Sequence, residues 1–101
     1  MAFKLLSKTV TTAGTRVPLS TTSLVVAQAY VEAKVANTGL IYVGDVAVTS
    51  TLCKRLEIPV SGEMLPSVSL APTADLLDLK DIYIDSSVNA EGVNVLYEEA
   101  V

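Results

Sequence analysis

The chain contains no histidine and a single cysteine, Cys53, among its 101 residues. Without histidine it lacks the side chain that most often serves as a general base and as a metal ligand near neutral pH. Nucleophilic pairs of the Ser-His and Cys-His types are therefore excluded. A lone cysteine forms neither an intramolecular disulfide nor a cysteine-based metal site, and we expect Cys53 to be a small buried apolar residue. The sequence predicts a protein that is not an enzyme and binds no cofactor.

Basic clusters and long apolar runs are also missing. The chain has 7 basic and 11 acidic residues, a formal net charge of −4, and Lys54-Arg55 is its one adjacent basic pair. This balance argues against binding to a nucleic-acid backbone, and we expect Lys54 and Arg55 to lie in a solvated loop. No stretch approaches the roughly 20 apolar residues that span a bilayer, and residues 1–8 lack the apolar run of a signal peptide. Neither nucleic acid nor a membrane is an expected partner.

Small apolar residues are abundant. Hydrophobic residues make up 50% of the chain, and only 18% of its residues are charged. A domain of this size exposes roughly 5,500 Å² when folded, against about 15,000 Å² for the extended chain. The core of a monomer is therefore too small to bury all of these apolar side chains. Large exposed apolar patches usually mark contacts between proteins. The composition predicts a self-assembling or docking protein.

Residues 35–48 organise the predicted fold, because two groups of turn residues divide short runs of β-branched side chains there. Asn37-Thr38-Gly39 is predicted to form a tight hairpin turn, since its residues tolerate a left-handed backbone. Gly44-Asp45 is predicted to form a second turn. The runs at residues 40–43 and 46–48 are too short and too β-branched for helices, so we expect strands.

Period-two alternation marks the longest strand. From Val25 to Val35 every second residue is apolar, and polar residues occupy most of the intervening positions. This alternation favours a strand over the helix that the alanine, glutamate and lysine content would also permit. Tyr30 falls on the polar side of the alternation, and we expect its side chain to point outward.

The rest of the chain has the pattern of short strands separated by turns and loops. Further strands are predicted at residues 3–10, 15–19, 58–60, 66–70, 81–85 and 93–97. Loops or turns are predicted at residues 11–14, 49–57, 61–63 and 86–92, followed by a tail at residues 98–101. Pro18 fits a sheet edge or a strand end, because it cannot donate a backbone hydrogen bond. One helical or 3₁₀ turn is predicted at residues 74–79, with Thr73 as its N-cap.

Seven to nine short strands at near-regular spacing, with at most one short helical turn, indicate the fold class. This pattern is typical of an all-β antiparallel sandwich of jelly-roll type. No internal repeat or linker divides the chain, so residues 1–101 are predicted to form one domain. Residues 1–10 are expected to be either an N-terminal arm or an edge strand.

The only acidic cluster consists of Asp75, Asp78, Asp81 and Asp85. A carboxylate pair for catalysis or a Ca²⁺ site needs such residues close together. The four are predicted to scatter over strands and a short turn, and their spacing matches no calcium-binding loop. A solvated acidic edge is the preferred interpretation.

Tyrosines are the main aromatic side chains, because tryptophan is absent. Tyr42, Tyr83 and Tyr97 lie within apolar segments, and we expect them to be core residues or interface anchors. Tyr30 is the one expected to make outward contacts. A glycan-binding module for host attachment that uses Tyr30 is therefore an alternative to a purely structural role.

Five short motifs follow one another along the chain. They are T-V-T-T-A-G-T-x-V-P-L at residues 9–19, A-N-T-G-x-I-Y-V-G at 36–44, G-E at 62–63, D-I-Y-I at 81–84 and G-V-x-V-L-Y at 92–97. In this ordered combination, which covers most of the chain, the sequence resembles a family of small virion proteins of tailed bacteriophages. It departs from the family pattern at residues 49–60, where residues 51–55 look inserted.

The resemblance implies a capsid decoration (cement) protein that binds and stabilises the lattice of the major capsid protein. It also implies a location in the virion after synthesis in the host bacterial cytoplasm, and a homo-oligomer, with a trimer favoured. A tail, neck or fibre component is the alternative within the same class. The expected interface residues are Phe3, Leu5, Tyr30 and Tyr97. The expected structural turn residues are Asn37, Gly39, Gly44, Asp45, Gly62 and Gly92.

Overall fold

A computed structural model describes residues 3–70 and 76–100. Within them it contains nine strands and one 3₁₀ turn. The strands are β1 (Phe3–Val10), β2 (Val17–Pro18), β3 (Val25–Ala33), β4 (Ile41–Gly44), β5 (Lys54–Leu56), β6 (Ser67–Leu70), β7 (Leu77–Asp78), β8 (Tyr83–Ser86) and β9 (Glu91–Glu99). The 3₁₀ turn, Leu79–Asp81, lies between β7 and β8.

The strands form two antiparallel sheets. The first sheet has the order β1-β9-β3, and both β6 and β7 pair with the far edge of β3. The second sheet has the order β2-β8-β4-β5. Pairing is nested along the chain, because β1 pairs with β9, β2 with β8, β3 with β6, and β4 with β5. Nested pairing wrapped into two facing sheets is the jelly-roll arrangement, and the predicted fold class is confirmed.

The core lies between the inner faces of the two sheets. Successive strand residues point to opposite faces, so residues 41 and 43 of β4, residues 93, 95 and 97 of β9, and residues 29, 31 and 33 of β3 enter the core. Both sheets contribute to one cluster of buried side chains, which consists of Val10, Leu19, Val26, Ala29, Val31, Ala33, Ile41, Val43, Leu56, Leu79, Ile84, Val93, Val95 and Tyr97. The cluster is built mainly from small branched side chains, as the composition predicted.

The alternation predicted for β3 holds over only part of the strand. From residue 29 to residue 33 every second side chain is fully buried, as predicted. Near the start of the strand Val26 is buried and Val25 is exposed, which reverses the predicted faces. The register with β9 shifts between Val26 and Gln28. A β-bulge of this kind adds one residue and so exchanges the two faces.

The predicted hairpin at Asn37 and Gly39 is wrong. Because β3 lies in the first sheet and β4 in the second, the connection between them crosses from one sheet to the other. Neither residue has a positive φ angle. Asn37 is buried, and its side chain pairs with the backbone of Gly92: Nδ2 donates to the carbonyl oxygen at 2.8 Å, and Oδ1 accepts from the N–H at 3.3 Å. The turn-forming residues thus attach a crossing loop to β9.

Gly92 does not close a loop, contrary to prediction. It lies inside β9, which begins at Glu91 and ends at Glu99, so the start of the predicted tail also belongs to this strand. A Cβ atom at Gly92 would collide with backbone atoms of Lys8 and Thr9. Glycine is required here because the backbones of β1 and β9 approach closely. The requirement is set by the partner strand and not by the residues next to Gly92.

The turn at Gly44 and Asp45 is confirmed, but the strand predicted after it is wrong. The backbone N–H of Val48 donates to the carbonyl oxygen of Asp45 at 3.0 Å, and the Asp45 side chain accepts from the backbone N–H of Ala47 at 2.8 Å. These bonds fold residues 46–48 into a turn. A Cβ atom at Gly44 would lie 3.0 Å from Cγ2 of Val48, so the absence of a side chain lets the loop pack onto β4.

The segment from residue 49 to residue 63 mixes correct and incorrect predictions. The predicted loop at residues 49–57 contains β5, an edge strand of three residues that pairs with β4. Its Lys54 and Arg55 are exposed, as expected, but lie in a strand. The strand predicted at residues 58–60 is irregular. The turn at Gly62 is confirmed by its φ of 83°.

Cys53 precedes β5 and is half-buried, not fully buried as predicted. Its Sγ lies 3.8 Å from the carbonyl oxygen of Ser50. The thiol therefore lies beside β5, an edge strand of the second sheet.

Other predictions need smaller corrections. The strand predicted at residues 15–19 shortens to β2, which is an edge strand of the second sheet, so Pro18 lies where expected. Thr73 and the start of the predicted helical turn lie outside the described residues. Residues 77–78 pair with β3 instead of turning, and the 3₁₀ turn follows at Leu79–Asp81.

Asp78 joins the 3₁₀ turn to the start of β3. Its carboxylate accepts hydrogen bonds from Ser23 Oγ at 2.5 Å and from the backbone N–H groups of Leu24 and Lys80, each at 3.0 Å. The Ser23 hydroxyl contributes most, followed by the two backbone N–H groups, and together they lower the pKa of Asp78 from 3.8 to about 2. The carboxylate is the N-cap of the 3₁₀ turn, and its three hydrogen bonds favour the ionised form.

Acidification is expected to destabilise the fold through this cap. A carboxyl group whose pKa is lower in the folded state stabilises that state above its unfolded pKa of 3.8. The contribution is lost as the pH falls from about 4 to about 2. Asp78→Asn should therefore be less stable than the wild type at pH 7 and lose less stability over this acid interval. Urea unfolding at several pH values tests this, with the exposed Asp81→Asn as control, whose stability should follow the wild-type pH dependence.

Candidate functional site

Large apolar side chains lie next to one another across three strands on the outer face of the first sheet. The register places Leu5 of β1 beside Leu96 of β9, and Leu96 beside Tyr30 of β3. Phe3 lies two residues before Leu5 and therefore shares its face. The exposed fractions are 52% for Phe3, 74% for Leu5, and 38% for both Tyr30 and Leu96. We call these four residues the apolar patch.

Polar groups surround the apolar patch. Tyr30 Oη donates to Gln28 Oε1 at 2.9 Å, and Gln28 Nε2 donates to Glu98 Oε1 at 3.1 Å. A shallow depression of about 400 Å³ lies on this face, lined by Leu5, Tyr30, Glu32, Ser67, Asn94 and Leu96. An apolar centre with a hydrogen-bonding rim is the usual organisation of a protein–protein interface.

The patch extends to an open sheet edge. β1 pairs with β9 along all eight of its residues, and no strand within residues 3–70 and 76–100 pairs with its other side. Residues 3–10 therefore form an edge strand, one of the two predicted alternatives. An edge strand offers unpaired N–H and C=O groups to another chain. The Lys4–Glu99 ion pair, 2.7 Å long, lies at the solvent-exposed end of this edge.

The predicted interface residues do not all lie on one face. Phe3, Leu5 and Tyr30 come together in the apolar patch. Tyr97 points to the opposite side of the first sheet, where it is 8% exposed and belongs to the core cluster. Leu96 was not predicted as an interface residue. It lies between Val95 and Tyr97, which both point into the core, and this alternation could have indicated that Leu96 points outward.

Glu91 is a buried carboxylate at the start of β9. Its Oε2 accepts from the backbone N–H of Thr38 at 2.6 Å and from Thr38 Oγ1 at 2.8 Å, and its Oε1 accepts from the Gly39 N–H at 2.8 Å. Burial raises the pKa of Glu91, but these three hydrogen bonds outweigh that effect and hold the pKa below its ordinary value. Both oxygens accept hydrogen bonds from the crossing loop, so this carboxylate holds the loop against β9.

The acidic cluster does not assemble. Asp78 caps the 3₁₀ turn, Asp81 is exposed at its end, and Asp85 is buried on β8. Asp75 lies outside the described residues. Among the residues that the structure describes, no three cysteine or carboxylate side chains are placed to hold a metal ion. The three described aspartates thus do not form one metal-binding cluster.

Comparisons with known proteins give no match. No family model, no curated protein and no solved structure matches this chain. The described part of the chain also contains no helix that is long and apolar enough to cross a membrane. The fold and the apolar patch define an all-β protein with a face suited to protein contacts.

Proposed function

We propose that this chain is a non-enzymatic structural protein of a tailed-bacteriophage virion, a decoration (cement) protein that binds and stabilises the lattice of the major capsid protein. The single observation that carries the proposal is the exposed apolar patch beside the open edge of β1. The motif resemblance supports the same role, and jelly rolls are common among virion proteins, an argument by analogy.

The physical basis of the proposed contact is burial of the apolar patch. Fully burying a leucine side chain contributes about 1.5–3 kcal/mol, and Leu5 and Leu96 are the two leucines of the patch. A standard interface buries about 1,600 Å² in total, more than four side chains supply. The edge of β1 and the hydrogen-bonding rim would therefore contribute to the same interface. The chain would also pair with itself as a homo-oligomer, with a trimer favoured by the resemblance.

Charge replacement in the apolar patch is expected to weaken binding to capsids. Leu5→Glu combined with Leu96→Glu places two carboxylates in the proposed contact and should weaken binding by at least about tenfold. Both side chains are exposed, so the fold should survive. The test adds purified variant to capsid shells that lack this protein, measures bound copies by quantitative gel, and compares the thermal stability of the particles.

Leu52→Glu is the matched control, because Leu52 is 64% exposed and lies outside the apolar patch. It should bind and stabilise shells as the wild type does.

Immunogold labelling of virions gives the location, and light scattering of the free protein gives the oligomeric state. Labelling confined to the tail would contradict the decoration role and favour the tail, neck or fibre alternative. Equal binding by the double variant would exclude the apolar patch as the contact.

A further inference from the structure

A second surface, on the outer face of the second sheet, contains two nearly buried polar side chains, each with a polar atom that has no hydrogen-bond partner among the described residues. Tyr42 of β4 and Asp85 of β8 are direct cross-strand partners. Their neighbours Ile41, Val43 and Ile84 point into the core, so these two side chains point away from it. Side chains on an outer face are normally exposed, yet Tyr42 is only 9% exposed and Asp85 only 8%.

Two loops cover this part of the sheet. In the loop after β1, the backbone N–H of Gly14 donates to Asp85 Oδ1 at 3.0 Å, and that of Ala13 donates to Asn89 Oδ1 at 2.8 Å. In the loop after β4, Val48 is 3% exposed and packs over Gly44. The loops border an open cavity of about 450 Å³, lined by Ala13, Gly14, Arg16, Tyr42, Val48, Thr49, Ser50, Asp85, Ser86 and Ser87. This volume is within the range of about 300–1,000 Å³ typical of small-molecule sites.

Two polar atoms remain free in this cavity. Asp85 Oδ1 accepts from the backbone N–H groups of Gly14 and Ser86, at 3.0 and 2.7 Å. Among the described residues, neither Asp85 Oδ2 nor Tyr42 Oη has a hydrogen-bond partner. No fully buried side-chain polar atom in the described structure lacks a partner, so these two atoms keep some accessible surface, and both residues line the cavity. Polar groups that are nearly buried and unpaired are costly unless a ligand or water satisfies them.

The charges of the lining restrict the ligand. Asp85 and Arg16 carry one charge of each sign, and the other polar side chains are hydroxyl groups. A phosphate or other anion would be repelled by the Asp85 carboxylate that lines the cavity. A metal cation would find only one carboxylate, fewer oxygen ligands than Ca²⁺ or Mg²⁺ requires. The lining suits a neutral ligand whose hydroxyl groups both donate to Asp85 and accept from Arg16 and Tyr42.

We propose that this cavity is a binding site for one neutral sugar residue, with Asp85 Oδ2 as the acceptor and Tyr42 Oη and Arg16 as further hydrogen-bonding groups. The site lies on the sheet opposite the apolar patch. A protein attached through the apolar patch would hold the cavity away from the attachment surface. The two proposals use different residues, and the sugar site does not depend on the decoration role.

Two-dimensional NMR titration of the ¹⁵N-labelled full chain tests the proposal. Glucose, galactose, mannose and N-acetylglucosamine are added separately, up to tens of millimolar. At least one should produce saturable shifts at the amides of Gly14 and Ser87, next to the cavity. Absence of saturable shifts with all four sugars, or shifts confined to the apolar patch, would overturn the proposal.

Conservative variants locate the site. Asp85→Asn retains an acceptor for the N–H groups of Gly14 and Ser86 but replaces the free acceptor, and should weaken sugar binding by about tenfold. Tyr42→Phe removes only the free hydroxyl and should weaken binding severalfold, which provides a second test should the asparagine variant not fold. Tyr30→Phe, which removes the hydroxyl of the apolar patch, should bind the sugar as the wild type does. Wild-type affinity in both cavity variants would refute the assignment.

Discussion

Gly92→Ala is expected to destabilise the fold by about 3 kcal/mol or more. The added Cβ would collide with the carbonyl oxygen and carbonyl carbon of Lys8, and it would lie 2.8 Å from Cα of Thr9. These are backbone atoms, which cannot rotate away as the end of a flexible side chain could. β1 would have to separate from β9, with which it pairs along its whole length. Urea unfolding followed by far-ultraviolet circular dichroism measures the loss.

Gly62→Ala is the matched control for this prediction. Gly62 has a φ of 83°, but a Cβ atom there would meet nothing within 4 Å. Its replacement carries only the strain of a left-handed backbone, about 1 kcal/mol. If Gly92→Ala cost no more than Gly62→Ala, close contact between β1 and β9 would not be the reason for glycine at position 92.

Glu91→Ala is expected to cost about 3 kcal/mol. The substitution leaves the backbone N–H groups of Thr38 and Gly39 without their acceptors, and Gly39 is buried where water does not readily replace the carboxylate. An unsatisfied buried donor costs more than the hydrogen bond itself contributes. The crossing loop between β3 and β4 should loosen, and hydrogen exchange at the amides of Thr38 and Gly39 should accelerate together with the fall in global stability.

Two further variants separate the causes of this loss. Glu63→Ala, at an exposed glutamate, should change stability by no more than about 0.5 kcal/mol. Glu91→Gln keeps one acceptor but turns an amide donor toward the Thr38 donors, so it should remain clearly destabilised despite its similar size. Wild-type stability in Glu91→Gln would show that the negative charge and the second acceptor are not needed.

Gly92 and Glu91 also connect stability to the proposed contact surface. Both lie at the start of β9, the strand between β1 and β3 in the first sheet. The apolar patch consists of residues from these three strands, so it exists only while β1 remains paired with β9. A variant such as Gly92→Ala should lose capsid binding together with stability, whereas the Leu5 and Leu96 variants should lose binding alone.

Much of the fold was predictable because it depends on local patterns. The sequence predicted five strands within a few residues: β1, β3, β6, β8 and β9. Alternating apolar residues and β-branched side chains indicate segments that suit a sheet with one buried face. The number of strands and the turn at Gly62 were predicted for the same reason. The exposed position of Tyr30 followed from its place in the alternation. These features require no knowledge of distant residues.

The candidate sites depend on partners far along the chain. Asn37 and Gly39 have the chemistry of a hairpin turn, but Asn37 bonds to Gly92, 55 residues away, and that pairing makes the segment a crossing between sheets. Leu5, Leu96 and Tyr30 form one patch only because β1, β9 and β3 are neighbours.

Tyr42 and Asp85 illustrate the same limit on the other sheet. Alternation places both on an outer face, and only the loops that fold back over β4 and β8 bury them and border the cavity. Local sequence determines whether a residue suits a strand, a turn or a core face. Which strands pair, and what covers their outer faces, is decided by the free energy of packing the whole chain, and no local pattern contains that information.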